Sequence, residues 1–161
     1  MGEIQIRPVE EGDREWMAQF IRQRWGSNRM AAHGNLYFPH TLPGFIAQDG
    51  EEKVGLLTYH MDGAQCEVVT LDSASEGRGV GSRLIQAARR AALDAGCRRL
   101  WLITTNDNVH ALRFYQKQGF ELVAVHRNAV AQARQLKPEI PLVGNDGIPI
   151  RDEIELEMAL E

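Results

Sequence analysis

Six consecutive residues, Gly77-Arg78-Gly79-Val80-Gly81-Ser82, have the composition of a phosphate-binding turn. Glycine at alternate positions lets the backbone enter left-handed or crowded conformations that a side chain would forbid. The apolar run of Val68, Val69 and Leu71 precedes the turn and reads as a strand covered on both faces. Behind the turn, Leu84, Ile85, Ala88, Ala92 and Leu93 recur at helical spacing over residues 82–95, and Gly96 stands where a C-terminal cap is expected. The first amides of a helix have no intrahelical partners and the helix dipole favours negative charge there. Strand, glycine turn and helix N-terminus can therefore hold a phosphate together. Arg78 adds a fixed positive charge within the turn. The residues alone leave a second reading open, a tight strand-to-helix connection with no ligand.

Spacing narrows the choice of phosphate. A P-loop ends in Gly-Lys-Ser/Thr, and this turn has no lysine, which argues against ATP or GTP chemistry. The dinucleotide fingerprint G-x-G-x-x-G would need glycine at position 82, which is serine, and its strand usually opens the domain. A dinucleotide-binding domain stays as an alternative.

With Arg83-Leu84-Ile85 following it, the stretch Gly77-Arg78-Gly79-Val80-Gly81 resembles the pyrophosphate-binding motif of the GNAT superfamily of acyl-CoA N-acyltransferases. The second half of that signature is matched by Asn108-Val109-His110-Ala111-Leu112-Arg113-Phe114-Tyr115-Gln116-Lys117-Gln118-Gly119-Phe120. Two motifs in the right order, a strand and a helix apart, are more specific than either alone. One departure is Glu76, where the family often carries Gln or Arg.

The resemblance covers residues 45–125 and implies a single α/β (α+β) domain over residues 1–161. Its core would be a central mixed, mostly antiparallel sheet with one parallel βαβ pair and helices on both faces. It also implies acetyl-CoA as co-substrate, with no metal. The diphosphate would rest on the amides of Arg78, Gly79, Val80, Gly81 and Ser82. Leu71 would offer backbone hydrogen bonds to the pantetheine arm, and Asn108 would contact the cofactor while capping its helix. In such proteins the region after the first helix commonly lines the acceptor site, which makes Trp25, Arg29, His33 and Tyr37 specificity candidates.

Acyl transfer from a thioester to an amine poses two proton problems. A lysine-like amine, pKa ~10.4, must lose a proton before attacking, and the leaving thiolate must gain one. A tyrosine phenol, pKa ~10, stays protonated at neutral pH and can donate to sulfur. The resemblance assigns that role to Tyr115. Glu67 shares its parity with Val69 and Leu71, so its carboxylate points toward a covered face and is a candidate base. Water or Asp152 could serve instead. The expected activity is N-acetylation of a small-molecule or peptide amine. A non-catalytic coenzyme A-binding or regulatory module is the alternative.

Several elements must position these groups. Ile4 and Ile6 suggest an opening strand, and Asp13 can cap an amphipathic helix carrying Trp16, Met17, Phe20 and Ile21 that stops near Gly26. Residues 25–43 show no sustained period, in the manner of a long functional loop. Strands are expected at 45–47, 54–60, 66–72, 99–105 and 120–125, and a helix opened by Asn108 and closed by Gly119. Residues 128–137 are weakly helical, and 137–149 read as an ordered loop. The final strand alternates cleanly, with Ile148, Ile150, Ile154, Leu156, Met158 and Leu160 on one parity and Arg151, Glu153, Glu155 and Glu157 on the other. Asp152 breaks the pattern from the apolar side. Either the strand begins after it, or it is a substrate-site residue.

Composition bounds the remaining choices. At 161 residues, 43% hydrophobic and 25% charged, the chain reads as one ordinary soluble domain. No apolar run is long enough to span a bilayer, and the N-terminus lacks a signal-peptide pattern, so a cytoplasmic location is expected. A formal charge of -4 argues against nucleic-acid binding and suits a cationic substrate. Cys66 and Cys97 have neither metal-ligand nor disulfide-scaffold spacing and read as small buried hydrophobes. The five histidines form no metal motif. Oligomeric state is left open, with a homodimer compatible.

Overall fold

A computed structural model describes residues 3–74 and 77–161. Within them the chain runs β1 (Ile4–Pro8), α1 (Arg14–Trp25), β2 (Met30–Ala32), β3 (Asn35–Tyr37), β4 (Gly44–Asp49), β5 (Glu52–Asp62), β6 (Gln65–Ser73), α2 (Val80–Asp94), β7 (Arg99–Thr105), α3 (Val109–Lys117), β8 (Glu121–His126), α4 (Ala129–Leu136) and β9 (Glu153–Ala159). Seven strands form one sheet in the order β1-β4-β5-β6-β7-β9-β8, and β2 pairs with β3 separately. Every neighbouring pair in the large sheet is antiparallel except β6 and β7, which α2 joins as a parallel crossover. This is the mixed α/β sheet that the resemblance implied.

Alternate residues of a strand face opposite sides of a sheet, and this sheet uses both. Ile46 and Leu56 pack against Met17, Phe20 and Ile21 of α1. Their chain neighbours Ala47 and Leu57 belong to the other cluster, with Val80, Leu84, Ile85, Ala88 and Ala92 of α2. Two glycines seat α2. A Cβ at Gly55 of β5 would lie 2.7 Å from Val80 Cγ1, and one at Gly81 would lie 2.9 Å from Phe114 Cζ. The first turn of α2 is thereby pressed between β5 and α3.

The parallel pair is short. Gln65, Cys66 and Glu67 pair with Arg99, Leu100 and Trp101, and the pairing goes no further. On its other edge β6 carries a bulge, since Thr58 faces Thr70 while Tyr59 faces Val68, leaving Val69 extra. A bulge bends its strand and increases the local twist. Beyond Glu67 the two strands line opposite walls of a cleft.

Two local readings change and a third is decided. Asp13 does not cap α1 with its side chain; a short 3-10 turn, Glu11–Asp13, precedes the helix. Its carboxylate instead accepts from the Glu10 amide at 2.8 Å and from Arg7 and Lys53. The Arg7 hydrogen bond, more than any other contact, holds this carboxyl well below the usual carboxylate range. Residues 25–43 are not a featureless loop, since β2 and β3 form a hairpin turned by His33 (φ 40°) and Gly34 (φ 83°). Positive φ at both central residues is the turn geometry that matches strand twist. The last strand begins at Glu153, so Asp152 lies before it, as one of the two readings of its parity held. Cys66 and Cys97 are buried free thiols, and burial pushes the Cys66 thiol up to about 12. Among the described residues no helix is long and apolar enough to cross a membrane.

The contact at Gly55 gives a test. Gly55→Ala forces Val80 outward and should lower stability by about 1–3 kcal/mol, read as a lower midpoint of urea unfolding. An unchanged midpoint would mean that α2 is not seated by this glycine.

Candidate active site

The cleft between β6 and β7 has a volume of about 630 Å³, within the range of small-molecule sites. At one end stand Gly79, Val80, Gly81 and Ser82, and Tyr115 and Asn108 line the α3 side. At the other end are Glu67, Tyr37 and Glu153. The fold thus brings together the glycine turn, Leu71, Asn108, Tyr115, Glu67 and Trp25, all singled out by sequence.

The turn has the expected backbone. Gly77 (φ 75°) and Gly79 (φ 70°) are left-handed, where glycine carries no steric penalty. Gly79 is the N-cap residue of α2 and makes no side-chain cap bond; Arg83 is the first residue whose amide bonds back, to the Gly79 carbonyl at 3.1 Å. The amides of Val80, Gly81 and Ser82 therefore have no intrahelical acceptor. A Cβ built on Gly77 or Gly79 would meet nothing within 4 Å, so the turn's backbone is bare on that side. Arg78 is less available than its sequence position suggests, because Nη1 bonds Asp49 Oδ2 of β4 at 2.8 Å. Glu76, the departure from the family pattern, lies outside the described residues. Asn108 caps α3 by accepting from the Ala111 amide at 3.2 Å, and Ser82 Oγ accepts from Gln118.

Glu67 is buried at 4% exposure, yet it forms part of the cleft wall. A carboxylate removed from water needs donors, and both come from the β2–β3 hairpin. Tyr37 donates its hydroxyl to Oε1 at 2.7 Å, and His33 Nε2 lies 2.9 Å from Oε2. Asn35 Nδ2 faces His33 Nδ1 at 3.0 Å. An amide nitrogen can only donate, so the neutral ring accepts at Nδ1 and carries its hydrogen on Nε2, aimed at Glu67. Burial disfavours charge on this imidazole, but the Glu67 hydrogen bond and the charges of Glu67 and Glu153 outweigh it and raise its pKa. Burial and the bond to Glu67 likewise raise the Tyr37 phenol above its ordinary value. The His33 ring leans on Trp101, with centroids 4.9 Å apart, and its backbone amide donates to Glu153 Oε1 at 3.0 Å.

Tyr115 stands edge-on between Phe114 and Phe120, at centroid distances of 5.4 and 5.5 Å. Burial, with the Asp72 charge adding to it, keeps its phenol protonated well beyond neutral pH. Asp72 itself accepts from the Trp25 indole nitrogen at 2.7 Å. Burial pushes its carboxyl up to about 6, against the opposing pull of the Trp25 bond and the Arg24 charge.

Four sequence candidates, Arg29, His33, Arg78 and Asp152, are not part of the cleft wall; His33 reaches it through Glu67, and Arg78 is held by Asp49. Arg29 forms an exposed ion pair with Glu139, at 2.8 and 2.5 Å. Asp152 accepts from the Asn128 amide at 2.9 Å and from Arg151, tying the start of α4 to that of β9. Sequence reasoning missed Glu153, Asp72 and Asn35. Glu153 opens its strand on the charged parity, with nothing to distinguish it from Glu155 and Glu157. Asp72 acts through Trp25, far away in the chain, and Asn35 through His33, which it meets only across the turn of a hairpin too short to show a pattern.

A family model for the acetyltransferase (GNAT) family matches residues 10–120. An uncharacterized protein of Bacillus subtilis, YdhI, is 45% identical over 150 residues, covering 92% of this chain and 94% of that one. Among solved structures, a Bacillus subtilis acetyltransferase in complex with CoA aligns with a TM-score of 0.71 at 20% identity, over 99% of this chain and 100% of that one. A GNAT family acetyltransferase from Elizabethkingia anophelis with acetyl-CoA bound aligns with a TM-score of 0.70 at 20% identity, over 99% and 100%. At these identities the likeness of the structures is one of fold.

The Trp25–Asp72 bond can be read by fluorescence. Asp72 holds its proton more tightly when folded, at about 6, than an unfolded aspartate does at ~3.9. The stability it contributes is therefore lost as pH rises through that interval. The component of emission that Trp25→Phe removes should titrate with a midpoint near pH 6 and become flat in Asp72→Asn. A flat response in the unsubstituted protein would contradict the assignment.

Proposed function

Because this chain belongs to the acetyltransferase (GNAT) family, we propose that it transfers an acetyl group from acetyl-CoA to a primary amine by direct attack. One observation carries the reading. A buried, doubly hydrogen-bonded carboxylate, Glu67, and a protonated phenol, Tyr115, line the same cleft, whose far end is a bare helix N-terminus.

The residues present fit the thioester carrier. The amides of Val80, Gly81 and Ser82 hold its diphosphate, and the dipole of α2 favours that charge. The edge of β6 past Glu67, no longer paired with β7, offers peptide groups around Leu71 to the pantetheine arm. Asn108 lies on the same wall. When bound, acetyl-CoA supplies an activated acyl carbon and a sulfur leaving group.

Glu67 accepts the proton that the ammonium form of the acceptor must shed, directly or through water. The freed nitrogen lone pair forms the C–N bond, and the C–S bond breaks. A peptide N–H of β6 near the bulge polarises the thioester carbonyl. Tyr115 gives its proton to the departing sulfur, and the second proton lost by nitrogen restores the phenol. The products are the acetamide, coenzyme A and one proton. Tyr37 and His33 keep the Glu67 carboxylate oriented.

Glu67→Gln should lower kcat by about 10²–10⁴-fold, the usual contribution of a positioned base. Tyr115→Phe should lower kcat by a similar factor while coenzyme A raises the melting temperature as it does in the unsubstituted protein. Thiol release from acetyl-CoA with a panel of amines reads the first effect, and thermal shift reads the second. Unimpaired turnover in both variants would remove the acid–base reading. Stabilisation by coenzyme A without turnover on any amine would leave a binding module.

A further inference from the structure

Glu153 is only 2% exposed, yet it forms part of the wall of the acceptor end of the cleft. Its Oε1 accepts from the His33 amide at 3.0 Å, and Oε2, which is not sealed off from the cleft, takes no hydrogen bond from the described residues. A carboxylate withdrawn from water and left without a countercharge is costly. The surrounding cations do not supply one. Across the sheet Glu153 faces Thr105 on β7 and His126 on β8, and His126 Nε2 bonds Glu155 at 2.9 Å. Arg99 binds Glu155 and Glu157, and Arg151 binds Asp152. The His33 ring is turned to Glu67. Even a protonated His33 balances one of the two carboxylates, and the pocket keeps a net negative charge.

The reacting nitrogen cannot neutralise Glu153, because it must be uncharged when it attacks. A positive charge that persists through the reaction has to come from elsewhere on the acceptor. Resting on the acetyltransferase reading above, we infer that the acceptor is a compact amine bearing a second cationic group, and that Glu153 selects it. The reacting amine meets Glu67, and the second cation meets the open oxygen of Glu153. Both carboxylates grip one histidine, Glu67 at the ring and Glu153 at the backbone amide, so the two nitrogens of the acceptor are separated by a short spacer.

Diaminobutane and butylamine are compared as acceptors at saturating acetyl-CoA, with thiol release as the readout. The diamine should have a kcat/KM at least about tenfold higher, since hydrogen bonds to charged groups in a buried site are the strong ones, and the difference should lie mainly in KM. In Glu153→Gln the amide oxygen can still accept from His33, and the diamine-to-monoamine ratio should fall toward one. Glu153→Asp, which keeps the charge but withdraws it, should give an intermediate ratio. Equal kcat/KM for the two amines in the unsubstituted protein, or a preference that survives Glu153→Gln, would overturn the inference. So would inactivity with both, and a retained thermal shift with coenzyme A would then leave the acetyl-CoA reading standing.

Discussion

The separation of β6 from β7 governs the rest of the molecule. Parallel strands ordinarily stay paired along their length, because each peptide group left open inside a fold must find another partner. Here three pairs close the base at Glu67 and Trp101, and just beyond it β6 carries its bulge at Val69 on the β5 side, where local twist increases. The open peptide edge beyond that point is affordable only because it borders a cleft that water or a ligand can enter. The elements on one side of the sheet follow from it. Gly55 lets α2 settle against β5, Gly81 lets α3 close over α2, and the bare amides of the α2 turn arrive at the mouth of the gap.

The second consequence is electrostatic. Glu67 is the last residue paired with β7, so its carboxylate sits where the walls begin to part, buried but bordering the opening. Tyr37 and His33 satisfy both of its oxygens, and both belong to a hairpin outside the main sheet. That hairpin is held from a second strand as well, through the His33 amide and Glu153. Two carboxylates from strands on either side of the gap thus converge on one turn residue that holds an unusual positive φ. The arrangement concentrates negative potential at the Glu67 end, while the α2 N-terminus makes the other end positive. The cleft is polarised along its length, which suits a carrier with a diphosphate at one end and, in the proposed reaction, an ammonium at the other.

Much of this frame was legible in the sequence. The glycine turn, the strand of residues 99–105 and the Asn108 cap carry local signals, and the structure has them at the expected places. Elements shorter than one period of their own pattern were not legible. Three-residue strands cannot show alternation, so the β2–β3 hairpin reads as loop despite its His33-Gly34 turn. Parity reasoning placed Glu67 on a covered face but could not separate Glu153 from the other charged residues of β9, because both faces there are partly covered. Arg29, Trp25 and Asp72 depend on partners far away in the chain, Glu139 for the first and each other for the last two. Nothing local in the sequence records such pairs.

A crystal structure of the protein with acetyl-CoA would show whether the gap between β6 and β7 receives the carrier. The pantetheine arm should lie between β6 and β7 along Leu71, with diphosphate oxygens within hydrogen-bonding distance of the amides of Val80, Gly81 and Ser82. Acetyl-CoA bound elsewhere, or a gap between β6 and β7 that closes to continue the sheet, would contradict that placement.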